Sequence, residues 1–290
     1  GQRIFGRAPR DDALGKDRLN HSGWGEEAEG HHAENGRRYH KGAGEMKKRL
    51  IVIGGVAAGL KAAAKAKRCD PEMEITVYQE EDEISYAGCG LPYYISGLVK
   101  KREDLISRTP GKFALDGIKI RVQRRIERID IEKRTVSGRD VGAEGVFTDH
   151  FDRLVLATGA SPIKPKIEGM ELGNIFYLRS IVDADEILER IRSEAIRNVV
   201  IAGGGYIGLE MAESLVHLDK SLTIVELAPQ ILTLFDEDFS GILRQYLEKQ
   251  GVQIFTSEGI KALTGNGVKI THVQTASRQM KTVAVLMSDG

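Results

Sequence analysis

An α/β fold with two similar doubly wound domains is predicted by three features of the sequence. Short apolar runs alternate with helical stretches along most of the 290 residues, which is the pattern of parallel sheets covered by helices. A glycine-rich turn joins a strand to a helix in each half, at residues 54–59 and 203–208. The order strand, turn, helix, strand recurs, so the halves form a loose internal repeat. Together these features predict two Rossmann-like dinucleotide-binding domains of the doubly wound, three-layer ββα type.

Composition excludes several classes of protein. The 42 basic residues balance 42 acidic residues, so we expect neither a nucleic-acid partner nor an acidic tail. No apolar run approaches the roughly eighteen residues that a transmembrane helix needs. The two cysteines, Cys69 and Cys89, cannot build a disulfide framework. We therefore expect a cytoplasmic protein that makes no contact with a membrane.

The chain divides into three parts by composition. Residues 1–45 are polar, rich in Gly, Arg and Glu, and without apolar periodicity, so a disordered N-terminal extension is predicted there. Met46 is a candidate natural start. Residues 46–165 and 166–290 are predicted to form the first and second nucleotide domains. The histidines of the extension lack the spacing of metal ligands, so no metal site is predicted at His21, His31, His32 and His40.

The secondary structure follows from periodicity and from the positions of Gly and Pro. In the first domain the predicted helix is residues 60–68, and the strands are residues 50–53, 75–78, 118–122, 128–131, 135–136 and 154–157. In the second domain the predicted strands are 199–202, 222–225 and 252–255, with helices that end at Leu218 and Lys249. The last apolar segments, 268–274 and 282–287, are predicted to form a β-hairpin.

The turn of the second domain carries a complete G-x-G-x-x-G motif between a strand and a helix. Gly203 permits the tight turn, Gly205 lets a pyrophosphate approach the backbone, and Gly208 lets the helix contact the strand closely. The helix N-terminus, which begins with Tyr206 and Ile207, favours phosphate binding. Glu226 ends the next strand, where a carboxylate binds a ribose 2′-hydroxyl and repels a 2′-phosphate. NADH is therefore favoured over NADPH.

The turn of the first domain departs from this motif. Gly54 and Gly59 occupy the first and third glycine positions, whereas Val56 stands at the middle position. The acidic residue after the second strand is also ambiguous, because Gln79 and Glu80 could each meet a ribose. We favour Glu80 for its charge.

Residues 85–94, Ser-Tyr-Ala-Gly-Cys-Gly-Leu-Pro-Tyr-Tyr, form the most specific motif. Cys89 follows the second predicted strand, so it lies near the carboxyl ends of the strands, where such folds bind ligands. A helix that begins at Leu91 or Pro92 would present its N-terminus to the sulfur and stabilise a thiolate. The alternative is an inert buried cysteine, which is our expectation for Cys69 at a helix end.

Together with this loop, residues 51–59, 154–159 and 199–210 and Glu226 resemble the FAD-dependent pyridine nucleotide-disulfide oxidoreductases. The similarity is specific to the branch with a single redox cysteine, which includes coenzyme A-disulfide reductases, persulfide reductases, NADH oxidases and NADH peroxidases. It extends from Met46 to Gly290. It implies that the first domain is the N-terminal segment of an FAD-binding domain and that the second domain binds NADH. The branch commonly lacks the middle glycine of the FAD turn, as this chain does at Val56.

The resemblance implies a mechanism in which NADH passes a hydride to FAD, which then reduces an oxidised form of Cys89, a mixed disulfide or a sulfenic acid. Members with two cysteines have the second one five positions later, where this chain has Tyr94. By the same resemblance, Tyr206 shields the flavin until nicotinamide arrives, and Glu210 is the glutamate of the family motif. The cofactor-binding residues expected in the first domain are Gly54, Gly55, Val56, Ala57, Ala58, Gly59, Gln79, Glu80, Ile126, Ala157, Thr158 and Gly159.

Within the branch, the resemblance favours reduction of coenzyme A disulfide, a persulfide or a similar small disulfide. Ala57 and Ala58 stand where oxidases and peroxidases generally have a histidine. Candidate contacts for coenzyme A are Lys65, Arg68 and Ser85, although an ordinary solvated helix face is the alternative for the two basic residues. Gly88 departs from the Asn that disulfide reductases often have beside the cysteine.

Two alternatives remain open at this point. One is an NADH oxidase or peroxidase that reduces oxygen or peroxide. The other is a non-catalytic nucleotide-binding fragment. Compared with the family, we expect the chain to end at a hairpin turn before the last strand of the NAD domain, without the second FAD segment and without the dimerisation domain of its homodimeric relatives. FAD is then expected to bind weakly or not at all.

Overall fold

The computed structural model describes residues 47–193 and 196–288. The expectations for residues 1–45 lie outside this described part. The described residues form one unit by their contacts, and this unit contains two separate parallel sheets. Across the described residues, no helix is long and apolar enough to cross a membrane.

The first half builds a four-stranded parallel sheet and a three-stranded antiparallel sheet. The strands are β1 (Arg49–Ile53), β2 (Glu74–Tyr78), β3 (Ile118–Arg121), β4 (Arg124–Asp130), β5 (Thr135–Asp140), β6 (Val146–His150) and β7 (Arg153–Leu156). The parallel sheet has the order β3-β2-β1-β7, and the antiparallel sheet has the order β4-β5-β6. The helices are α1 (Ala58–Cys69), α2 (Leu91–Ile95) and α3 (Pro110–Leu115), with 3₁₀ turns at Gly88–Gly90 and Arg102–Leu105.

The second half repeats this plan. The strands are β8 (Ile175–Tyr177), β9 (Asn198–Ala202), β10 (Ser221–Val225), β11 (Gln253–Phe255), β12 (Ile260–Gly265), β13 (Ile270–Thr275), β14 (Gln279–Lys281) and β15 (Ala284–Met287). The parallel sheet of this half has the order β11-β10-β9-β15-β8, and its antiparallel sheet has the order β12-β13-β14. The helices are α4 (Ile181–Ser193), α5 (Tyr206–His217) and α6 (Glu237–Lys249).

Each half has three layers, as the sequence predicts. Successive side chains of a strand point to opposite faces, and β1 shows this alternation. Leu50 and Val52 share an apolar cluster with Leu60 of α1. The neighbouring Ile51 instead shares a cluster with Val136 of the antiparallel sheet. The parallel sheet therefore lies between helices and antiparallel strands, which confirms the ββα prediction.

The predicted hairpin at the end of the chain is wrong. Segment 268–274 contributes to β13, which pairs with β12 and β14 in antiparallel fashion. Segment 282–287 instead forms β15, which lies between β9 and β8 and runs parallel to both. All four residues of β15 are buried, which suits a central strand covered on both faces. Residues 284–287 are therefore a central strand of the second parallel sheet and not one arm of a hairpin.

Candidate functional site

The glycine turn of the second half has the conformation that its motif predicts. Gly203 has a φ of 105°, which favours glycine. A Cβ at Gly208 would lie 2.2 Å from the carbonyl oxygen of Gly203, so α5 approaches β9 more closely than a side chain permits. A Cβ at Gly205 would meet no protein atom within 4 Å. The space above Gly205 is therefore open to a ligand.

Glu226 lies at the end of β10 and contacts this turn. Its Oε2 accepts a hydrogen bond from the backbone N–H of Gly204 at 2.6 Å, and its Oε1 accepts one from Ala228 at 2.7 Å. The carboxylate is thus fixed beside the glycine turn of residues 203–208, at the position where the sequence predicts a contact with ribose.

The turn of the first half has the same geometry despite its altered motif. Gly54 has a φ of 109°, and a Cβ there would lie 2.0 Å from the carbonyl oxygen of Ala157. A Cβ at Gly59 would lie 1.9 Å from the carbonyl oxygen of Gly54. Val56, at the middle position, packs against the apolar cluster that contains α2, α4 and α5. Ala57 and Ala58 are exposed where α1 begins.

Gln79, and not Glu80, occupies the position in the first half that corresponds to Glu226. The Gln79 Oε1 accepts a hydrogen bond from the backbone N–H of Gly55 at 2.7 Å, which repeats the bond between Glu226 and its own turn. Glu80 is exposed and forms an ion pair with Arg125 at 2.9 Å. Gln79 therefore has the position in the first half that Glu226 has in the second, and the ribose contact that we favoured for Glu80 stays a prediction.

A cavity of about 680 Å³ opens between the carboxyl ends of β1 and β2. Since the first and third turn glycines leave no room for a Cβ and the cavity adjoins the turn, the residues present fit an elongated dinucleotide such as FAD. Of the residues predicted to bind a cofactor in the first half, six line this cavity: Gly54, Gln79, Glu80, Ile126, Thr158 and Gly159.

Cys89 lines a second cavity of about 430 Å³. The cysteine is exposed and lies in the 3₁₀ turn that leads directly into α2 at Leu91, as predicted. Glu210 of α5 lines the same cavity, so the fold brings together two of the three predicted catalytic residues. Other residues that line this cavity include Gly88, Pro92, Ser161, Ile207 and Met287.

The remaining predicted residues lie elsewhere. Tyr206, the third predicted catalytic residue, does not line the Cys89 cavity; it is 54% exposed, and its ring meets Phe235 edge-on with centroids 6.2 Å apart. Lys65 and Arg68 are exposed on α1 and do not line this cavity. Ser85 does not line it either; its backbone has a φ of 54° and its N–H donates to the carbonyl oxygen of Gly55.

Arg179 is a site residue that the sequence reasoning missed. It lines both cavities, and it donates to Glu81 Oε1 at 2.7 Å. Glu81 also accepts from the hydroxyl of Tyr86 at 3.3 Å. Burial, with the charge of Glu81, raises the pKa of Tyr86 to about 12. Arg179 follows β8, a strand that the sequence analysis did not predict, so no local signal marked it.

Comparison with known proteins identifies the family. The pyridine nucleotide-disulphide oxidoreductase family matches residues 48–290. The chain belongs to this family.

Family members are FAD-dependent and use NAD(P)H, in agreement with the expectation of FAD and a nicotinamide nucleotide; the preference for NADH stays a prediction. An NADH oxidase of Methanocaldococcus jannaschii is 36% identical over 83% of this chain and 54% of its own length. An NAD(P)H coenzyme A polysulfide/persulfide reductase of Pyrococcus horikoshii is 33% identical over 84% of this chain and 54% of its own length. The solved structure of reduced CoADR-RHD from Bacillus anthracis has a TM-score of 0.82 and 31% identity, covering 85% of this chain and 44% of that one. The chain therefore spans about half the length of the curated relatives that it matches.

Proposed function

We propose that this chain carries electrons from NADH through FAD to Cys89, which reduces coenzyme A disulfide, a persulfide or a similar small disulfide. Residues 46–165 would form the FAD-binding segment and residues 166–290 the NAD-binding domain. The observation that carries this proposal is the shared cavity of Cys89 and Glu210. It places an exposed thiol beside the helix that begins at the second nucleotide turn.

The two turns would hold the two nucleotides. The turn around Gly54 and the carboxamide of Gln79 would bind FAD, which supplies two-electron transfer between nicotinamide and sulfur. The turn around Gly205 would bind the pyrophosphate of NADH at the start of α5. Glu226 would accept hydrogen bonds from a ribose, and its charge disfavours a 2′-phosphate, so NADH is the proposed donor.

The chain supplies one thiol to the reaction. Cys89 is exposed and can attack an external disulfide, forming a new sulfur–sulfur bond while one thiolate leaves. Cys69 ends α1, a twelve-residue helix about 18 Å long that begins at the first turn. It lies outside both cavities, so we assign it no role.

A small disulfide is preferred over oxygen because Ala57 and Ala58 provide no acid or base at the first turn. The name of the Pyrococcus relative, a coenzyme A polysulfide/persulfide reductase, agrees with this choice. The name of the Methanocaldococcus relative, an NADH oxidase, favours oxygen and supplies the second candidate. A small disulfide and oxygen are therefore the two acceptors to be compared.

The test is NADH consumption by the protein in the presence of excess added FAD, measured at 340 nm with coenzyme A disulfide and, separately, with oxygen. We expect rapid consumption with the disulfide and slow consumption with oxygen. Cys89→Ser should abolish turnover with the disulfide, whereas Cys69→Ser, the matched control, should retain it. Turnover with oxygen alone would refute the disulfide assignment and favour an oxidase.

A further inference from the structure

The helix that follows Cys89 is too short to hold its own position. Helix α2 has five residues, whereas isolated helices shorter than about twelve residues are marginal in water. Its place is therefore set by the surfaces that it contacts. Leu91 and Ile95 are fully buried in one apolar cluster with α4 and α5. The hydroxyl of Ser214 on α5 donates to the carbonyl oxygen of Pro92 at 2.9 Å.

Asp185 of α4 joins polar contacts on both sides of Cys89. Its Oδ1 accepts a hydrogen bond from Tyr94 Oη at 3.0 Å, and its Oδ2 accepts one from Arg102 Nε at 2.8 Å. Another nitrogen of Arg102 donates to Glu83 Oε1 at 2.6 Å. Glu83 precedes Cys89 in the chain and Tyr94 follows it. Asp185 thus contacts Tyr94 directly and Glu83 through Arg102. It thereby restrains the segment from Glu83 to Tyr94, the cysteine loop.

These contacts are partly withdrawn from water. The side chains of Arg102, Glu83 and Asp185 are 30%, 26% and 35% exposed. Hydrogen bonds to Glu83 and to Asp185 raise the pKa of Arg102 above its already high ordinary value, so the guanidinium stays charged. Hydrogen bonds between charged groups are shorter and stronger than neutral ones. The two ion pairs of Arg102, with Glu83 and with Asp185, are therefore suited to hold the segment around Cys89 in place.

We propose that Asp185 is a positioning residue for Cys89, and that it acts through Tyr94 and Arg102 to hold the sulfur where it can attack an external disulfide. This inference rests on the proposed function and deepens it. In the attack, the Cys89 thiolate bonds to one sulfur of the substrate and the other half leaves as a thiolate, so atoms and electrons balance.

The test compares two reactions of Cys89 in a Cys69→Ser background, without added cofactor. One is exchange with coenzyme A disulfide, followed by the mass of the mixed disulfide. The other is alkylation by iodoacetamide, which requires little beyond exposure. For Asp185→Ala we expect exchange to slow about tenfold, since a positioned attack is lost, while alkylation stays within about twofold. Tyr94→Phe removes one of the two bonds and should slow exchange about threefold.

Glu258→Ala is the matched control. Glu258 also accepts from one hydroxyl and one guanidinium, those of Thr275 at 2.8 Å and Arg278 at 2.6 Å, but these two partners lie at the end of β13 and in the turn after it, and not in the chain around Cys89. Both Cys89 rates should stay at their original values in this variant. An equal slowing of exchange in Glu258→Ala, or unchanged exchange in Asp185→Ala and Tyr94→Phe, would overturn the positioning role. Parallel changes in exchange and alkylation would also overturn it, since they indicate a general loss of stability.

Amide hydrogen exchange keeps this test independent of the substrate. If the original chain does not react with coenzyme A disulfide, the proposed acceptor fails, and the protection of residues 91–95 decides the role of Asp185. We expect about tenfold faster amide exchange there in Asp185→Ala, with protection of β9 and β10 unchanged. Unaltered protection of residues 91–95 would overturn the inference.

Discussion

Replacing Gly208 by alanine is expected to damage the fold, whereas the same change at Gly205 is expected to damage nucleotide binding. A Cβ at Gly208 would lie 2.2 Å from the backbone oxygen of Gly203 and 2.7 Å from Ser288 Oγ. Ordinary van der Waals contact begins at 3.4 Å, so α5 must move away from β9 by about 1 Å. The obstructing atom belongs to the backbone of a turn between two buried elements and cannot rotate away.

The size of this effect follows from two opposing contributions. Overpacking in a well-ordered core costs about 1–3 kcal/mol. The higher helix propensity of alanine returns up to about 1 kcal/mol. Because the clash with a backbone atom is so close, the upper end of the overpacking cost applies, and we expect Gly208→Ala to lower the free energy of unfolding by about 2 kcal/mol, measured by urea unfolding with circular dichroism. Gly241→Ala in α6 is the control: its Cβ would meet nothing within 4 Å, so it should stabilise the protein by up to about 1 kcal/mol.

Gly205→Ala should behave in the opposite way. Because no protein atom lies within 4 Å of the added Cβ, the free energy of unfolding should change by less than about 0.5 kcal/mol. The methyl group would occupy the space assigned to the pyrophosphate, so the Kd for NADH should rise at least about tenfold in calorimetric titration. Unchanged NADH affinity in Gly205→Ala would refute the pyrophosphate assignment. Undiminished stability in Gly208→Ala would refute the packing argument.

Three further predictions concern charge, cofactor choice and access to Cys89. Burial, and then a hydrogen bond to Asp149, raises the pKa of Tyr78 from its ordinary value of 10.0 to about 12. The folded state therefore keeps the Tyr78 proton to higher pH than the unfolded state. The contribution of Tyr78 to the free energy of unfolding should be fully present below pH 10 and be lost towards pH 12; Tyr78→Phe should make the fall of stability between pH 10 and pH 12 shallower in urea unfolding. Glu226→Gln removes the negative charge beside the turn, so Kd values should rise for NADH and fall for NADPH, each by roughly threefold to tenfold; an unaltered ratio of the two would contradict the ribose assignment. A Cβ at Gly88 meets nothing within 4 Å, so Gly88→Asn should leave stability within about 0.5 kcal/mol and increase the rate of Cys89 exchange with coenzyme A disulfide, which a slower rate would contradict.

The two nucleotide turns could be predicted from sequence because their requirement is local. Positive φ at Gly54 and Gly203, and contacts that leave no room for a Cβ at Gly59 and Gly208, each demand glycine at one position. The identity of the residue therefore records the backbone geometry directly. Buried strands next to these turns are likewise visible as short apolar runs.

The placement of β15 and of Gln79 could not be obtained in the same way. The apolar run of β15 is equally consistent with a hairpin strand and with a central parallel strand, and pairing with β9 and β8 decides between them. Gln79 and Glu80 are adjacent in sequence, but alternation of side chains along the chain directs Gln79 to the turn and Glu80 to Arg125.

The sequence by itself determined that the chain has two glycine-rich turns of the dinucleotide-binding type, a three-layer architecture and a cysteine loop, because each is encoded by residues that are close together in the chain. Tertiary structure alone decided that Glu210 and Cys89 line one cavity, that Arg179 lies between two cavities, and that Asp185 restrains the cysteine loop. Asp185 is far from Cys89 in the chain, and α4 must first fold against α2 before their side chains can meet. Contacts of this kind depend on packing between distant elements, which no local pattern records.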